Sequence, residues 1–255
     1  MDVDLSQVTK PCPCGEDQDA AFPQVYIEAG VAEKLVDVLE EYQNPVFICD
    51  SNTRAAAEPH LEDEFKDYPV IELDPEGLIT DEKSLQKVLR QVEYCEEGCG
   101  AVCVDVLVAI GAGTVHDFTR YCAKAYGVDY ISVPTAASST GFASRVAVVM
   151  KDGEKTFLPA NYPKYILADT DIFGKAPRTL TETGIAKLKM RYDGFDDWEE
   201  EQPDSEEEST DMLEKALKKA VRDIDDIRDG EEDAMEKLMY ALILSGLMWE
   251  TNESV

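Results

Sequence analysis

The feature that most constrains this chain is a regular alternation of short apolar runs with segments of helical spacing. The apolar runs are VYIEAG (25–30), PVFICD (45–50), YPVIELD (68–74), VDVLVAI (104–110), YISVP (130–134) and YILAD (165–169). Strands that are apolar throughout are buried on both faces, and their alternation with helices is typical of a parallel sheet covered on both sides. The sequence therefore predicts an α/β fold.

The pattern changes near residue 170, after which helical spacing dominates. The run TDMLEKALKKAVRDIDDI predicts one helix, which Gly230 ends, and EEDAMEKLMYALILSGLMW predicts a second. The apolar positions on one face of the first helix are Leu213, Leu217, Ala220, Ile224 and Ile227. The second helix grows more apolar towards its end, so without cover it would be an aggregation liability or an oligomer contact. We expect an α/β domain over residues 1–170 and an all-helical domain over 171–255.

The charge balance excludes several partners. Lys and Arg total 24 against 54 Asp and Glu, a formal net charge of -30. Such a field repels nucleic acid and anionic membranes, and no apolar run approaches the ~18 residues of a membrane span. We read the acid-rich stretch between Asp193 and Asp233 as solvated surface.

The seven cysteines show no disulfide framework, and no apolar leader opens the chain, so we expect a reducing cytoplasm. Cys49 and Cys103 lie in apolar runs and are interpreted as small core residues. A zinc site could use the remaining paired cysteines, but the prolines at the first pair and the lack of a nearby His disfavour it. Those cysteines are Cys12, Cys14, Cys95 and Cys99.

A turn of small residues joins the fourth apolar run to a helix. It reads Gly111-Ala112-Gly113-Thr114, and the helix after it places Val115, Phe118, Cys122 and Ala125 on one face before Gly127. The first-turn N–H groups of a helix lack partners within it and attract anions such as a pyrophosphate. Any tight strand-to-helix turn also favours glycine, so the turn alone leaves both interpretations open.

A second loop, PTAASSTGFAS (134–144), follows the fifth run and offers hydroxyls beside small side chains. Because ligands in such sheets lie across the carboxyl ends of the strands, two adjacent small-residue loops suit one extended ligand with phosphates. A dinucleotide satisfies both loops. Asp50, at the end of an earlier strand, could bind an adenosine ribose, which would favour NAD over NADP, or could cap the helix at 51–57.

Four stretches together resemble one enzyme family. GAGTVHDFTRYCA, YISVPTAASSTGFAS, KTFLPANYPKYILADTDIF and APRTLTETG are similar to the sn-glycerol-1-phosphate dehydrogenases, with CPCG and EDAMEKLMYALILSGL similar to their bacterial branch. That family belongs with the iron-type alcohol dehydrogenases, glycerol dehydrogenases and dehydroquinate synthases.

The resemblance implies a Rossmann-like dinucleotide-binding domain, a helical metal-binding domain, and NAD(P)-dependent reduction of glycerone phosphate to sn-glycerol 1-phosphate. It implies a small phosphorylated substrate and leaves the oligomeric state open, with a homodimer as one option. The residues expected to bind the coenzyme are Asp50, Gly111, Ala112, Gly113, Thr114, Asp117, Thr135 and Ser138. Lys155, Lys164 and Arg145 are nearby cations, interpreted as solubilising surface.

The chain departs from the family pattern at its acidic positions. Thr140 stands where the pattern has an Asp, and Lys187 stands where a metal-ligating Asp is expected. His60 and His116 match neither metal-ligating histidine, and we interpret His116 as a partly exposed helix residue. The zinc or nickel ion expected from the family therefore lacks its ligands here, and catalytic residues cannot be assigned.

Three alternatives follow from these departures. The chain is a shortened enzyme of this family, a non-catalytic nucleotide-binding relative, or a glycerol dehydrogenase-like enzyme. A dehydroquinate synthase-like member would have a second loop with Gln and Asp, which VPTAASS lacks.

Overall fold

The computed structural model describes residues 2–3, 22–98, 103–200 and 207–249. Cys12, Cys14 and Cys99 lie outside the described residues, and so does the side chain of Cys95. The zinc site that the sequence disfavours is therefore untested. Cys49 and Cys122 are buried, as a core interpretation requires, but Cys103 is exposed because it precedes the buried part of its strand.

Six of the nine strands among the described residues match the predicted apolar runs. The strands are β1 (Asp2–Val3), β2 (Gln24–Glu28), β3 (Pro45–Asp50), β4 (Val70–Leu73), β5 (Val106–Gly111), β6 (Asp129–Pro134), β7 (Val146–Lys151), β8 (Glu154–Pro159) and β9 (Tyr165–Asp169). Of these, β1, β7 and β8 lie outside the predicted runs. A seven-stranded sheet has the order β1-β2-β9-β6-β5-β3-β4, and only the β1–β2 pair is antiparallel. The α/β prediction is confirmed.

The helices lie between and after these strands. They are α1 (Lys34–Leu39), α2 (Ser51–Ala57), α3 (Glu62–Asp67), α4 (Glu82–Gly98), α5 (Gly113–Tyr126), α6 (Thr170–Phe173), α7 (Arg178–Asp193), α8 (Phe195–Glu200), α9 (Glu207–Arg222), α10 (Ile224–Asp229) and α11 (Glu232–Trp249). Short 3-10 turns cover Val31–Glu33 and Gly141–Ala143. In the described part of the chain, none of these helices has the length and apolarity needed to cross a bilayer.

Both faces of the sheet are covered. Alternate residues of β3 face opposite layers: Phe47 packs with α1 and α3 residues such as Leu35, whereas Ile48 packs with Val88 of α4 and Phe118 of α5. Every residue of β3 and β5 is buried. The unbroken apolar character of these runs therefore follows from burial on two sides.

The later helices form a separate apolar cluster with β2 and β9. This cluster lies on the face of the sheet that also carries Ile48. The predicted face of the first long helix is buried at all five positions, although the helix breaks at Asp223 into α9 and α10. The Asp223 carboxylate lies 2.7 Å from Lys237 Nζ of α11, and this ion pair accompanies the break. Val25 and Ile166 of the sheet belong to the same cluster. The division near residue 170 remains a prediction.

The end of α11 is covered. All residues from Ala241 to Met248 are buried, packed with α7 and α9, so the helix is not the uncovered apolar surface that would have been an aggregation liability or an oligomer contact. The cover comes from the helices that immediately precede it. The β7–β8 hairpin turns at Asp152 and Gly153, with φ of 52° and 85°, as the Asp-Gly pair predicts.

A buried carboxylate at the end of β9 holds the turn that follows the adjacent strand β2. Asp169, at the end of β9, is fully buried and accepts hydrogen bonds from the N–H groups of Gly30 (3.0 Å), Ala32 (2.9 Å) and Asp171 (2.9 Å). A buried carboxylate needs such donors to compensate for lost water. The bonds fix the turn after β2 to the neighbouring strand.

Candidate coenzyme site

The sheet brings the two small-residue loops together. β5 and β6 are parallel neighbours whose last residues pair, Gly111 with Pro134, and the Thr135 N–H donates to the Gly111 carbonyl at 3.0 Å. β3 lies on the other side of β5, so Asp50 ends at the same edge. The three predicted segments therefore meet at the carboxyl edge of the sheet.

The first turn of α5 has backbone N–H groups that donate no hydrogen bond to any described residue. Ala112 is its N-cap and supplies no side-chain hydrogen bond. Among the described residues, no acceptor lies within hydrogen-bond distance of the N–H groups of Gly113, Thr114 or Val115. These groups and the helix dipole favour an anion.

Packing requires the first glycine of the turn and favours the second. A Cβ at Gly111 would lie 2.5 Å from the Val115 Cβ, which no real contact permits. A Cβ at Gly113 would lie 3.2 Å from Ser139 Oγ of the second loop. The missing side chain at Gly111 lets the turn pack against its own helix. The missing side chain at Gly113 lets the turn approach the second loop.

The second loop is small for another reason that the sequence did not reveal. A Cβ at Gly184 of α7 would lie 1.9 Å from the Ala137 carbonyl oxygen, and one at Gly246 of α11 would lie 1.9 Å from that of Thr140. The backbones of α7 and α11 thus lie directly against the second loop. Ala136 and Ala137 are fully buried under this contact.

Two hydroxyls of this loop remain available. Thr135 and Ser138 are more than nine-tenths buried, with exposed fractions of 5% and 6%. In the described part of the molecule, neither hydroxyl forms a hydrogen bond. Neither oxygen is among the fully buried atoms without a partner, so both hydroxyls reach the surface of the loop and are available to a polar ligand.

Asp50 caps α2. Its Oδ1 accepts hydrogen bonds from the N–H groups of Asn52 and Thr53, both at 2.9 Å, and Thr53 returns a bond to its backbone, which completes a capping box. The second oxygen, Oδ2, accepts no hydrogen bond from any other described residue. The capping role is therefore present, and one oxygen remains for a ribose.

Asp117 ties α5 to the β7–β8 hairpin. Its Oδ1 accepts from the Val148 N–H at 3.1 Å and lies 3.7 Å from Arg120 Nε. Burial raises the pKa of Asp117, and the nearby Arg120 guanidinium opposes that rise. A structural function for Asp117 is thus evident, and its contact with a coenzyme remains a prediction.

Arg120, which sequence reasoning did not single out, lies fully buried beneath the second loop. It donates to the carbonyls of His116 (3.1 Å), Ser144 (3.3 Å) and Val146 (3.1 Å). Its Nη2 has no hydrogen-bond partner among the described residues and would lie 3.3 Å from a Cβ at Gly141. The only sequence signal was the basic residue in the motif that carries the family resemblance.

The interpretation of His116 as partly exposed is wrong. Its ring is fully buried, with Nδ1 3.0 Å from the Ala112 carbonyl and Nε2 2.7 Å from Ser132 Oγ. Since a carbonyl only accepts, Nδ1 carries the proton and Nε2 accepts from Ser132. Burial, with a smaller effect of Arg120, lowers the pKa of His116 to about 3, so it is neutral.

The predicted apolar face of α5 also needs one correction. Val115, Phe118 and Cys122 are buried, but Ala125 is exposed and Ala123 is buried in its place. α5 packs against the sheet on one side and also contacts β7 and α4. More of its surface is therefore buried than a single apolar stripe predicts.

The residues present do not fit a divalent metal. Lys187 presents an ammonium where the resemblance expects a carboxylate, His116 uses both ring nitrogens, and Asp169 is bonded to backbone N–H groups. The described ranges contain no group of three His, Cys, Asp or Glu residues arranged to hold a metal.

The nearby cations occupy different places. Lys164 lies at the amino edge of the sheet, 3.0 Å from Glu41 and 3.5 Å from Asp129, so it is remote from the loops. These partners raise the pKa of Lys164. Lys155 is exposed on β8, and Arg145 is half-buried beside β7.

Fold and loops together define a class: a parallel α/β protein with a glycine turn and an open helix N-terminus at the carboxyl edge, backed by a helical segment. The family model for iron-containing alcohol dehydrogenases matches residues 26–177. The chain belongs to that family.

The curated relatives carry a more specific name. The chain is 34% identical over 237 residues to a glycerol-1-phosphate dehydrogenase of Bacillus velezensis, covering 88% of this chain and 58% of that protein. It is 30% identical to the glycerol-1-phosphate dehydrogenase of Geobacillus stearothermophilus, covering 96% of this chain and 62% of that protein. Both names give NAD(P)+ as the coenzyme. The chain spans about six tenths of the length of these relatives.

Solved structures agree on the fold. A probable glycerol dehydrogenase from Sinorhizobium meliloti 1021 is similar with a TM-score of 0.72 at 20% identity, over 90% of this chain and 67% of that one. The glycerol dehydrogenase of Schizosaccharomyces pombe is similar with a TM-score of 0.70 at 20% identity, over 91% of this chain and 62% of that one.

Proposed function

We propose that this chain binds NAD(H) or NADP(H) at the carboxyl edge of its sheet and serves the reduction of glycerone phosphate to sn-glycerol 1-phosphate. One observation carries the coenzyme proposal. The open N-terminus of α5 adjoins a loop in which the hydroxyls of Thr135 and Ser138 reach the surface and form no hydrogen bond with any described residue. The names of the curated relatives support the reaction.

Each residue of the site has a physical role in this proposal. The N–H groups of Gly113 and Thr114 would hold the pyrophosphate, because they point out of the helix and have no acceptor among the described residues. Ala112 and Gly111 keep the turn close to the helix. Asp50 would accept from a ribose hydroxyl through Oδ2 while Oδ1 caps α2.

The chain's contribution to the reaction is binding and orientation. When bound, the dinucleotide supplies or accepts the hydride. Thr135 and Ser138 would orient the ligand by donating hydrogen bonds from the second loop, whose residues are mostly buried and so hold their positions. We infer that residues 1–170 form the coenzyme domain and residues 171–255 the helical wall beside it, in a cytoplasmic protein for which a homodimer remains an option.

Coenzyme binding is tested by NADH fluorescence titration of Gly113→Asp. The new carboxylate would lie where the pyrophosphate binds and would repel it, whereas an acid in the first turn does not weaken the helix. Gly113→Asn is the matched control, since it adds a side chain of the same size against Ser139 at the same position without the charge. Equal NADH affinity in both variants would remove the proposed site.

A second candidate function, a non-catalytic nucleotide-binding protein, is favoured by Lys187 at the expected ligand position. It predicts NADH binding without turnover. The discriminating assay follows NADH oxidation with glycerone phosphate and with the unphosphorylated ketone. Turnover of the phosphorylated ketone supports the dehydrogenase, whereas turnover of the unphosphorylated ketone alone supports a glycerol dehydrogenase-like enzyme.

A further inference from the structure

An open groove lies between the edge strand β4 and the helix α4. In the described part of the chain, β4 is the last strand of the seven-stranded sheet and pairs only with β3. α4 covers one face of β4, where Leu85 and Val88 pack with Ile71. The groove beside them has a volume of about 1200 Å³. That exceeds the ~300–1,000 Å³ of most small-molecule pockets, so a segment of polypeptide fits the groove better than a metabolite does.

The outer edge of β4 has backbone groups that pair with no described strand. The Phe47 N–H of β3 donates to the Pro69 carbonyl at 2.9 Å, and Phe47 is aligned with Val70. Since the backbone groups of alternate residues point to opposite sides of a strand, the N–H and C=O groups of Val70 and Glu72 point away from β3. Both residues line the groove. An exposed edge of this kind is able to pair with an added strand.

The α4 wall of the groove is cationic. Its three basic residues, which form no ion pair with any described residue, are Lys83, Lys87 and Arg90. The two acids of the lining already have partners. Glu72 Oε2 lies 2.9 Å from Arg54 Nη1, and Asp81 Oδ1 accepts a hydrogen bond from the Ser84 N–H at 2.7 Å. The groove is therefore positive in a chain with a net charge of -30.

The two walls of the groove have similar repeats. Four residues of helix advance about 6 Å, which is close to the ~6.7 Å between alternate residues of a strand. Acidic side chains at alternate positions of an added strand would therefore meet Lys83 and Lys87 in turn. A second copy of this chain fits less well, because pairing β4 with β4 of another copy would bring two rows of like charges together.

We propose that this groove binds an extended acidic segment of a partner protein, which adds a strand beside β4 and places carboxylates at alternate positions against Lys83, Lys87 and Arg90. The backbone hydrogen bonds would supply affinity, and the cations would select acidic sequences. None of the described residues that line the groove belongs to the proposed coenzyme site, so this inference does not rest on the proposed function.

The test is a fluorescence-anisotropy titration of a labelled peptide, in which glutamate alternates with valine, with the whole chain. Lys87→Glu reverses one charge of the α4 wall and should weaken peptide binding by about tenfold or more, because like charges then face each other. Lys189→Glu is the matched control, since it makes the same change at an exposed position of α7. It should leave peptide affinity within about threefold of the wild type, as a distant screened charge does. Circular dichroism checks that each variant is folded.

Strand addition is measured separately, by amide hydrogen exchange followed by NMR. Saturating peptide should slow exchange of the Val70 and Glu72 N–H groups by about tenfold or more, because they then donate to the added strand. Peptide binding without this protection would overturn the inference, and so would equal affinity of Lys87→Glu and Lys189→Glu. Equal affinity for a peptide with glutamine in place of glutamate would overturn the selection of acidic segments. Self-association that protects both N–H groups without peptide would assign the edge to a second copy instead.

Discussion

Gly184 allows the sharpest test of the packing that shapes the second loop. In Gly184→Ala, the added Cβ would lie 1.9 Å from the Ala137 carbonyl oxygen. That is roughly 1.5 Å short of van der Waals contact, and the obstacle is backbone, so no side-chain rotation relieves it. α7 must therefore move away from the loop.

The magnitude follows from two opposing effects. Overpacking of this kind costs about 1–3 kcal/mol, and a rigid backbone obstacle belongs at the upper end of that range. Replacing a helical glycine by alanine favours the helix by about 1 kcal/mol. The net expectation is a loss of about 2 kcal/mol in the free energy of unfolding, or roughly 4–8 °C in Tm for a chain of this size.

The assay is thermal unfolding followed by circular dichroism, with Ala186→Gly as the control. Ala186 is exposed on the same helix, so its replacement reports helix propensity alone and should cost about 1 kcal/mol. If propensity alone decided the outcome, Gly184→Ala would raise Tm. An unchanged or raised Tm would refute the close contact between α7 and the loop.

Three further predictions concern other buried groups. Arg120→Met should lower the free energy of unfolding by about 3 kcal/mol in urea titrations because three carbonyls lose their donor, and a Lys replacement should not rescue it. His116 has a native pKa of about 3, below the ~6.5 of an unfolded His, so its stabilisation is present above pH ~6.5 and is lost as the pH falls towards 3. From pH 7 to 5 this loss is about 2 kcal/mol, and His116→Asn should lack it in unfolding titrations at both pH values; an identical pH slope would contradict the assignment. Asp50→Asn keeps the cap but removes the charge, so fluorescence titrations should show NADPH gaining affinity relative to NADH; an unchanged ratio would count against Asp50 as the ribose ligand.

Local patterns predicted the sheet well because its strands are defined by their own residues. The apolar runs are bounded by turn residues, and the β7–β8 turn follows from Asp152 and Gly153 alone. The glycine turn at 111–113 could likewise be predicted from the sequence, since the strand before it and the helix after it are adjacent in the chain.

The environments of single side chains were less predictable. His116 was expected to be exposed because it follows a helix start, but its burial depends on Ser132 in β6 and on Phe142, whose ring lies 4.9 Å away. Gly184 and Gly246 gave no local sign that each meets a carbonyl of a distant loop. These contacts depend on how the helices pack, which hydrophobic spacing does not encode.

The position of β9 between β2 and β6 also affects how the chain is made. The Asp169 carboxylate and the Gly30 N–H that it binds are 139 residues apart in sequence. At about 5–20 residues per second, a ribosome needs roughly 7–28 seconds between them. Throughout that interval β2 has no parallel neighbour, so the nascent sheet has an unprotected edge. The hydrogen bonds between β2 and β9 should therefore be among the last to gain protection from hydrogen exchange, and this stage is when a chaperone would be most useful.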